Sequence, residues 1–183
     1  MAYYYFDFRD TAKQDTRGLL SSLVAQLSAK SDLCYHVLSD LYSTHNAGSL
    51  LPDDEALIQC LKKMLEFPRL PPIYIVVDAL DECPNSPGAP SPRERVLDLI
   101  EDLVGLQLHN LRICVTSRTE ADIQEALGPL VSHSVSLHDE SGQRQDIMDY
   151  IISAVQSDRK MRKWRAGDRQ LVIDTLSRRV DGM

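Results

Sequence analysis

Apolar side chains recur at two different spacings in this 183-residue chain, and the switching between the two predicts its elements. The aromatic run Tyr3 to Phe8, bounded by polar residues, reads as a strand. After Thr16, read as a capping side chain, Leu19, Leu20, Leu23, Val24 and Leu27 fall at helical spacing and predict a helix with one buried face. Two more amphipathic helices follow. One carries Leu33, Val37, Leu38 and Leu41; the other, started by Pro52-Asp53, carries Leu57, Ile58, Leu61, Met64 and Leu65. Pro68, Pro71 and Pro72 end that helical stretch.

Ile73 to Val77 is an unbroken β-branched and aromatic run, which predicts a strand covered on both faces of a parallel sheet. Cys83 to Pro92 holds four prolines and reads as a solvated loop. A helix resumes at about Arg93 with Val96, Leu97, Ile100, Leu103 and Val104 inward. Leu111 to Thr116 is expected to be a second fully buried strand, followed by a short helix over Ala121 to Leu127 and a strand at Ser134 to Leu137. The tail from Gln143 reads as helical, first with Ile147, Tyr150, Ile151, Ala154 and Val155 on one face, then with Leu171, Val172 and Leu176. Strands separated by helices need crossover connections, so the fold class is α/β with a parallel sheet and a helical appendage. The expected division is 1–140 for the α/β part and 141–183 for the start of a helical domain.

Charge and composition narrow the function classes. Twenty basic and 27 acidic side chains give a net charge of −7, which disfavours a generic nucleic-acid surface, and 43% hydrophobic residues exclude whole-chain disorder. Cys34, Cys60, Cys83 and Cys114 form no CxxC pair and the five histidines form no HExxH, so neither a zinc site nor a redox motif is expected. The N-terminus shows no secretory pattern, and no run approaches the roughly 20 apolar residues of a membrane span. A reduced, cytoplasmic protein is the expectation. The basic stretch Asp158 to Arg165, with Trp164, reads as a solvated helix end rather than a stacking platform for bases.

The chemistry-bearing residues sit where strands end. Ligands of parallel α/β sheets bind at the carboxyl ends of the strands. Ile73-Tyr74-Ile75-Val76-Val77-Asp78-Ala79-Leu80-Asp81-Glu82-Cys83 delivers one carboxylate at a strand tip, then a small residue, then an acidic pair. That arrangement suits a Walker B site: Asp78 holds Mg²⁺ through its water shell, and Asp81 or Glu82 polarises an attacking water. The plainer alternative is that these acids cap the following turn. Leu111-Arg112-Ile113-Cys114-Val115-Thr116-Ser117-Arg118 ends in an arginine at the distance of the next parallel strand, so Arg118 is expected in the same crevice, where its planar fork matches phosphate oxygens. Taken alone, Arg118 reads better as a surface arginine at a strand end, paired with an acid.

Tyr3 to Asp10, the VVDALDEC string and the CVTSR string together resemble the NACHT group of STAND signalling ATPases, in particular the fungal type related to the nephrocystin 3-like N-terminal domain. The resemblance covers nearly the whole chain. It implies a P-loop NTPase-like sandwich with Asp78 as the Walker B aspartate and magnesium contact, Asp81 and Glu82 as the catalytic acids, and Arg118 as the sensor-1 arginine. It also implies ATP or ADP with Mg²⁺ as cofactors, self-association or pairing with full-length relatives, and ankyrin or WD40 repeats in the intact parent. Arg179 to Met183 looks like the opening of the family's Gly-Met-Phe-type motif.

One departure bears on activity. A P-loop requires GxxxxGK[ST], and no two of the eight glycines are five apart while none precedes a lysine. The expectation is therefore a fragment that lacks the central Walker A strand, hydrolyses ATP negligibly alone, leaves the Leu111 strand with an unpaired edge and is marginally stable or partner-dependent. The alternatives are a non-enzymatic interaction or decoy module that docks on full-length relatives, and a carboxylate-dependent hydrolase using Asp78, Asp81 and Glu82.

Overall fold

In the computed structural model the described residues are 1–45, 48–68, 70–86, 90–136 and 141–178. The chain divides into two compact units, Met1–Val131 and Ser132–Met183. Among the described residues the first holds three strands and five α-helices in the order β1 (Ala2–Tyr5), α1 (Thr16–Ser28), α2 (Asp32–Thr44), α3 (Asp54–Leu65), β2 (Ile73–Asp78), α4 (Pro92–Gly105), β3 (Leu111–Val115) and α5 (Ala121–Leu127). The second holds α6 (Ser141–Ser157) and α7 (Ala166–Arg178). The fold class is α/β, and the sheet is parallel with strand order β1-β2-β3. Ala2 is opposite Ile75 and Ile73 is opposite Leu111, so the three strands finish at one edge.

Several helix boundaries follow from caps. Asp15, not Thr16, is the N-cap of α1: its carboxylate accepts the Gly18 N–H at 2.8 Å, which moves Thr16 one place into the helix. Asp53 caps α3 in the same way. At α4, Ser91 and Glu94 exchange hydrogen bonds across the first turn in a full capping box, with Pro92 at the first helical position. The first strand stops at Tyr5 rather than Phe8, because the Asp7 carboxylate accepts the Arg9 N–H at 2.9 Å and turns the chain out of the sheet.

The core of this unit lies against one face of the sheet. Leu19, Leu20, Leu23, Val24 and Leu27 of α1, Leu57, Leu61, Met64 and Leu65 of α3, and Val96, Leu97, Ile100 and Leu103 of α4 are buried with Ile73, Ile75 and Val77 of β2. Among the described residues of this unit, coverage of both sheet faces does not occur. Side chains along β2 alternate, with Ile73, Ile75 and Val77 buried while Tyr74 and Asp78 are exposed. On β3 only Leu111 is buried, because that strand lies at the sheet edge. The sequence run was uniformly apolar, but only one helical layer packs on it within this unit. Likewise α2 is peripheral: Cys34 is its one buried residue and Leu33 is exposed.

Ser134 to Ser136 form no strand, and Leu137 lies outside the described residues. In the second unit Ile151 and Val155 are buried and Ile147, Met161, Val172 and Ile173 pack on them. Tyr150, Leu171 and Leu176, expected on inward faces, are exposed. Arg179 to Met183 lie outside the described residues. Among the described residues no helix is long and apolar enough to cross a membrane.

Candidate functional site

At the carboxyl edge, β2 and β3 are locked together by one residue beyond β3. The Thr116 N–H donates to the Val77 carbonyl at 2.9 Å, and the Thr116 carbonyl accepts the Leu80 N–H at 2.9 Å. Its hydroxyl accepts the Ala79 N–H at 3.0 Å and donates to a carboxylate oxygen of Asp78. Asp78 is thereby oriented at the strand tip with its side chain still exposed to solvent. Ala79 adopts the left-handed conformation (φ 54°, ψ 46°), which reverses the chain immediately after the strand. A β-branched or bulky side chain is disfavoured there.

The one-turn helix Leu80–Glu82 then aims the acidic pair back at the neighbouring tips. One Asp81 carboxylate oxygen accepts the Arg118 N–H at 3.0 Å, and the other lies 3.4 Å from Arg118 Nε. The Asp81 side chain is only 10% exposed, whereas that of Arg118 is 82% exposed, so the guanidinium extends into solvent. Glu82 accepts the Phe8 N–H at 3.1 Å and ties the exit of β1 to the exit of β2. Both acids expected to polarise water are thus engaged in holding strand exits, while Asp78 is the exposed one.

Beneath this turn lies Arg93, which sequence reasoning did not single out. Its guanidinium, buried except for 10% of the side chain, donates to the Cys83 carbonyl at 2.9 Å and the Asp81 carbonyl at 2.6 Å, and pairs with the Asp122 carboxylate at 3.2 Å. A cation in the first turn of a helix opposes the helix dipole, and that anomaly was the available signal. Thr116 and Asp122 were missed as well, because their partners are distant in sequence. Burial pushes the Cys83 thiol up to about 12, with Asp15 adding to the shift and Arg93 opposing it. The thiol lies 3.4 Å from the Gln14 carbonyl and is structural rather than reactive.

An open pocket of about 410 Å³ lies over this turn, lined in part by Phe8, Gln14, Glu82 and Arg118. Asp81 lines it too, so three of the expected site residues come together, with Asp78 displaced to the Thr116 side of the same edge. Cys83 is buried and Cys114 is exposed on β3. Among the described residues no cluster of three or more metal-ligating side chains occurs. Magnesium sites commonly use one or two carboxylates completed by water and phosphate oxygens, a requirement that the exposed Asp78 carboxylate suits.

This geometry defines an α/β protein whose acidic turn and exposed arginine share the carboxyl edge of a parallel sheet. The chain belongs to the nephrocystin 3 N-terminal family, whose model matches residues 1–118. That span runs from β1 to Arg118 and contains both strand-tip motifs. No curated protein and no solved structure matches the chain.

Proposed function

We propose that residues 1–118 supply the magnesium and γ-phosphate side of an ATP-dependent switch of the NACHT and STAND type, built on a P-loop NTPase-like sheet. The observation that carries this reading is the joint placement of Asp78 and Arg118 at adjacent parallel strand tips, with Thr116 orienting the aspartate. Asp78 would hold Mg²⁺ through water, and the Arg118 guanidinium would face the terminal phosphate. ATP, when bound, supplies the phosphoanhydride whose cleavage distinguishes the two states of such a switch. Asp81 positions Arg118, and Glu82 holds the exit of β1.

The phosphate side of the site is incomplete in these 183 residues, because they contain no GxxxxGK[ST]. Calorimetry of MgATP against this chain is therefore expected to show binding no tighter than millimolar and negligible hydrolysis. Micromolar affinity retained in Asp78→Asn would refute the assignment. Reading the in-frame coding sequence upstream of Met1 gives the complementary test: a GxxxxGK[ST] there supports a working switch.

The edge position of β3 favours a second reading, a non-enzymatic module that pairs with a P-loop-bearing member of the same family through that edge. Mixing the chain with such a relative and finding no complex by sedimentation would dispose of it.

A further inference from the structure

The turn that joins α6 to α7 inverts the charge of the chain. Arg159, Lys160, Arg162, Lys163 and Arg165 put five cations into seven residues of a protein whose net charge is −7, and Asp158 is the one acid in the run Asp158–Arg165. All five are exposed. None of them forms an ion pair among the described residues. Trp164, the one tryptophan of the chain, stands among them with 47% of its surface exposed.

The run is solvated, as its sequence suggests, but it is also built. One Asp158 carboxylate oxygen accepts the Lys160 N–H at 2.7 Å and the Met161 N–H at 3.0 Å, which spends the acid on the backbone of its own turn. The Arg162 N–H donates to the Asp158 carbonyl and the Trp164 N–H to the Met161 carbonyl, each at 3.0 Å. Met161 packs on the buried Ile151 and Val155, so the turn is pinned to the helix pair. The fold therefore holds five like charges close together around an exposed indole. Water and salt only screen their repulsion, whereas an anionic partner relieves it.

We propose that this turn docks the protein on a bilayer surface rich in anionic phospholipid headgroups, with the cations on the headgroup anions and the Trp164 ring at headgroup depth. Among the described residues no helix is long and apolar enough to cross a membrane, so the contact is peripheral. A single exposed ring favours a lipid surface over a nucleic acid, which is gripped by successive aromatic rings along a charged groove. Tyr150, the other exposed aromatic of this unit, lies about 10 Å back along α6 from Ser157. The proposal does not depend on the ATP reading.

The test adds the full chain to vesicles of phosphatidylcholine mixed roughly two to one with phosphatidylserine, and to vesicles of phosphatidylcholine alone, at low ionic strength. Co-sedimentation reads binding, and because Trp164 is the only tryptophan, intrinsic fluorescence reads the turn itself. Binding to the serine-containing vesicles alone is expected, with a blue shift of the emission and release as salt is raised. Lys160→Gln combined with Lys163→Gln weakens it about twentyfold, at roughly fivefold per cation. Trp164→Ala weakens sedimentation too. Lys30→Gln combined with Lys63→Gln takes the same charge from exposed positions of the first unit and leaves binding unchanged. Absence of binding to either vesicle overturns the proposal, as does equal binding to both or affinity untouched by the double variant at the turn. A uridine oligonucleotide bound in place of vesicles makes the partner a nucleic acid, and a salt-sensitive dimer in their place makes it a second copy of this chain; both overturn the lipid assignment.

Discussion

Arg93 is the residue on which the acidic turn depends. Its guanidinium satisfies two carbonyls of the Leu80–Cys83 segment and the Asp122 carboxylate of α5, so it fixes the direction in which Asp81 meets Arg118. Replacing Arg93 with Met keeps the apolar stem and leaves those acceptors without their donor. The expected loss is about 3 kcal/mol in urea unfolding, with the midpoint lowered and the slope unchanged. Cys83 beside it allows a second check. The thiol is neutral in the folded state up to about 12, against an ordinary value of 9.0. The folded form therefore holds its proton more tightly than the unfolded chain. Its contribution is fully present below pH 9 and fades as pH rises toward 12. Unfolding free energy is expected to fall across that window, with a shallower decline in Cys83→Ala. At pH 8, thiol reagents should modify the exposed Cys114 rapidly and spare the buried Cys34, Cys60 and Cys83 until the chain is unfolded.

At the scale of elements, the seating of α1 on β1 sets how close the first helix comes to the sheet. A Cβ at Gly18 would lie 2.5 Å from the Tyr4 hydroxyl and 2.6 Å from the Ala12 carbonyl, closer than any carbon can sit. Gly18→Ala gains about 1 kcal/mol of helix propensity. The clash with a backbone carbonyl outweighs that gain, so a net destabilisation of about 1–3 kcal/mol is expected by thermal or urea unfolding. An unchanged or raised melting temperature would show that the helix is free to slide outward. The sheet itself is one-sided within its unit: Tyr3, Tyr5 and Tyr74 project from the face opposite the helical core, and each is about half exposed. The apolar run of β2 was therefore legible as a strand, but not the number of layers packed on it. A continuous run is what two-sided burial requires, yet Tyr74 and Val76 satisfy that pattern with no covering helix among the described residues of their own unit.

At the scale of the whole molecule, the two units differ in how much core they own. The first encloses a continuous cluster that runs from Ala2 to Leu127, whereas the second buries only Ile151 and Val155 among its described apolar side chains. Stability is expected to be correspondingly uneven. Native-state hydrogen exchange should show amides of Ile147–Val155 and Leu171–Ile173 exchanging well before those of Leu19–Leu27 in α1 and Ile75–Val77 in β2. Equal protection of both sets would contradict this picture.

What the amino-acid sequence determined by itself is the local part: the order and kind of nearly every element, the Asp53 start of α3, the buried stripes of α1, α3 and α4, and the acidic turn after β2. The string of motifs also pointed to the family whose model matches residues 1–118. These are properties of period, caps and short-range sterics, all readable within a few residues. Tertiary structure alone decided which carboxylates are occupied. Glu82 is taken by the Phe8 N–H, 74 positions away, and Asp81 by Arg118, 37 positions away. It also decided that Thr116 orients Asp78. Such partnerships form only when strands fall into register and helices dock, because the free energy of a polar group is set by whatever the fold brings within about 3 Å of it.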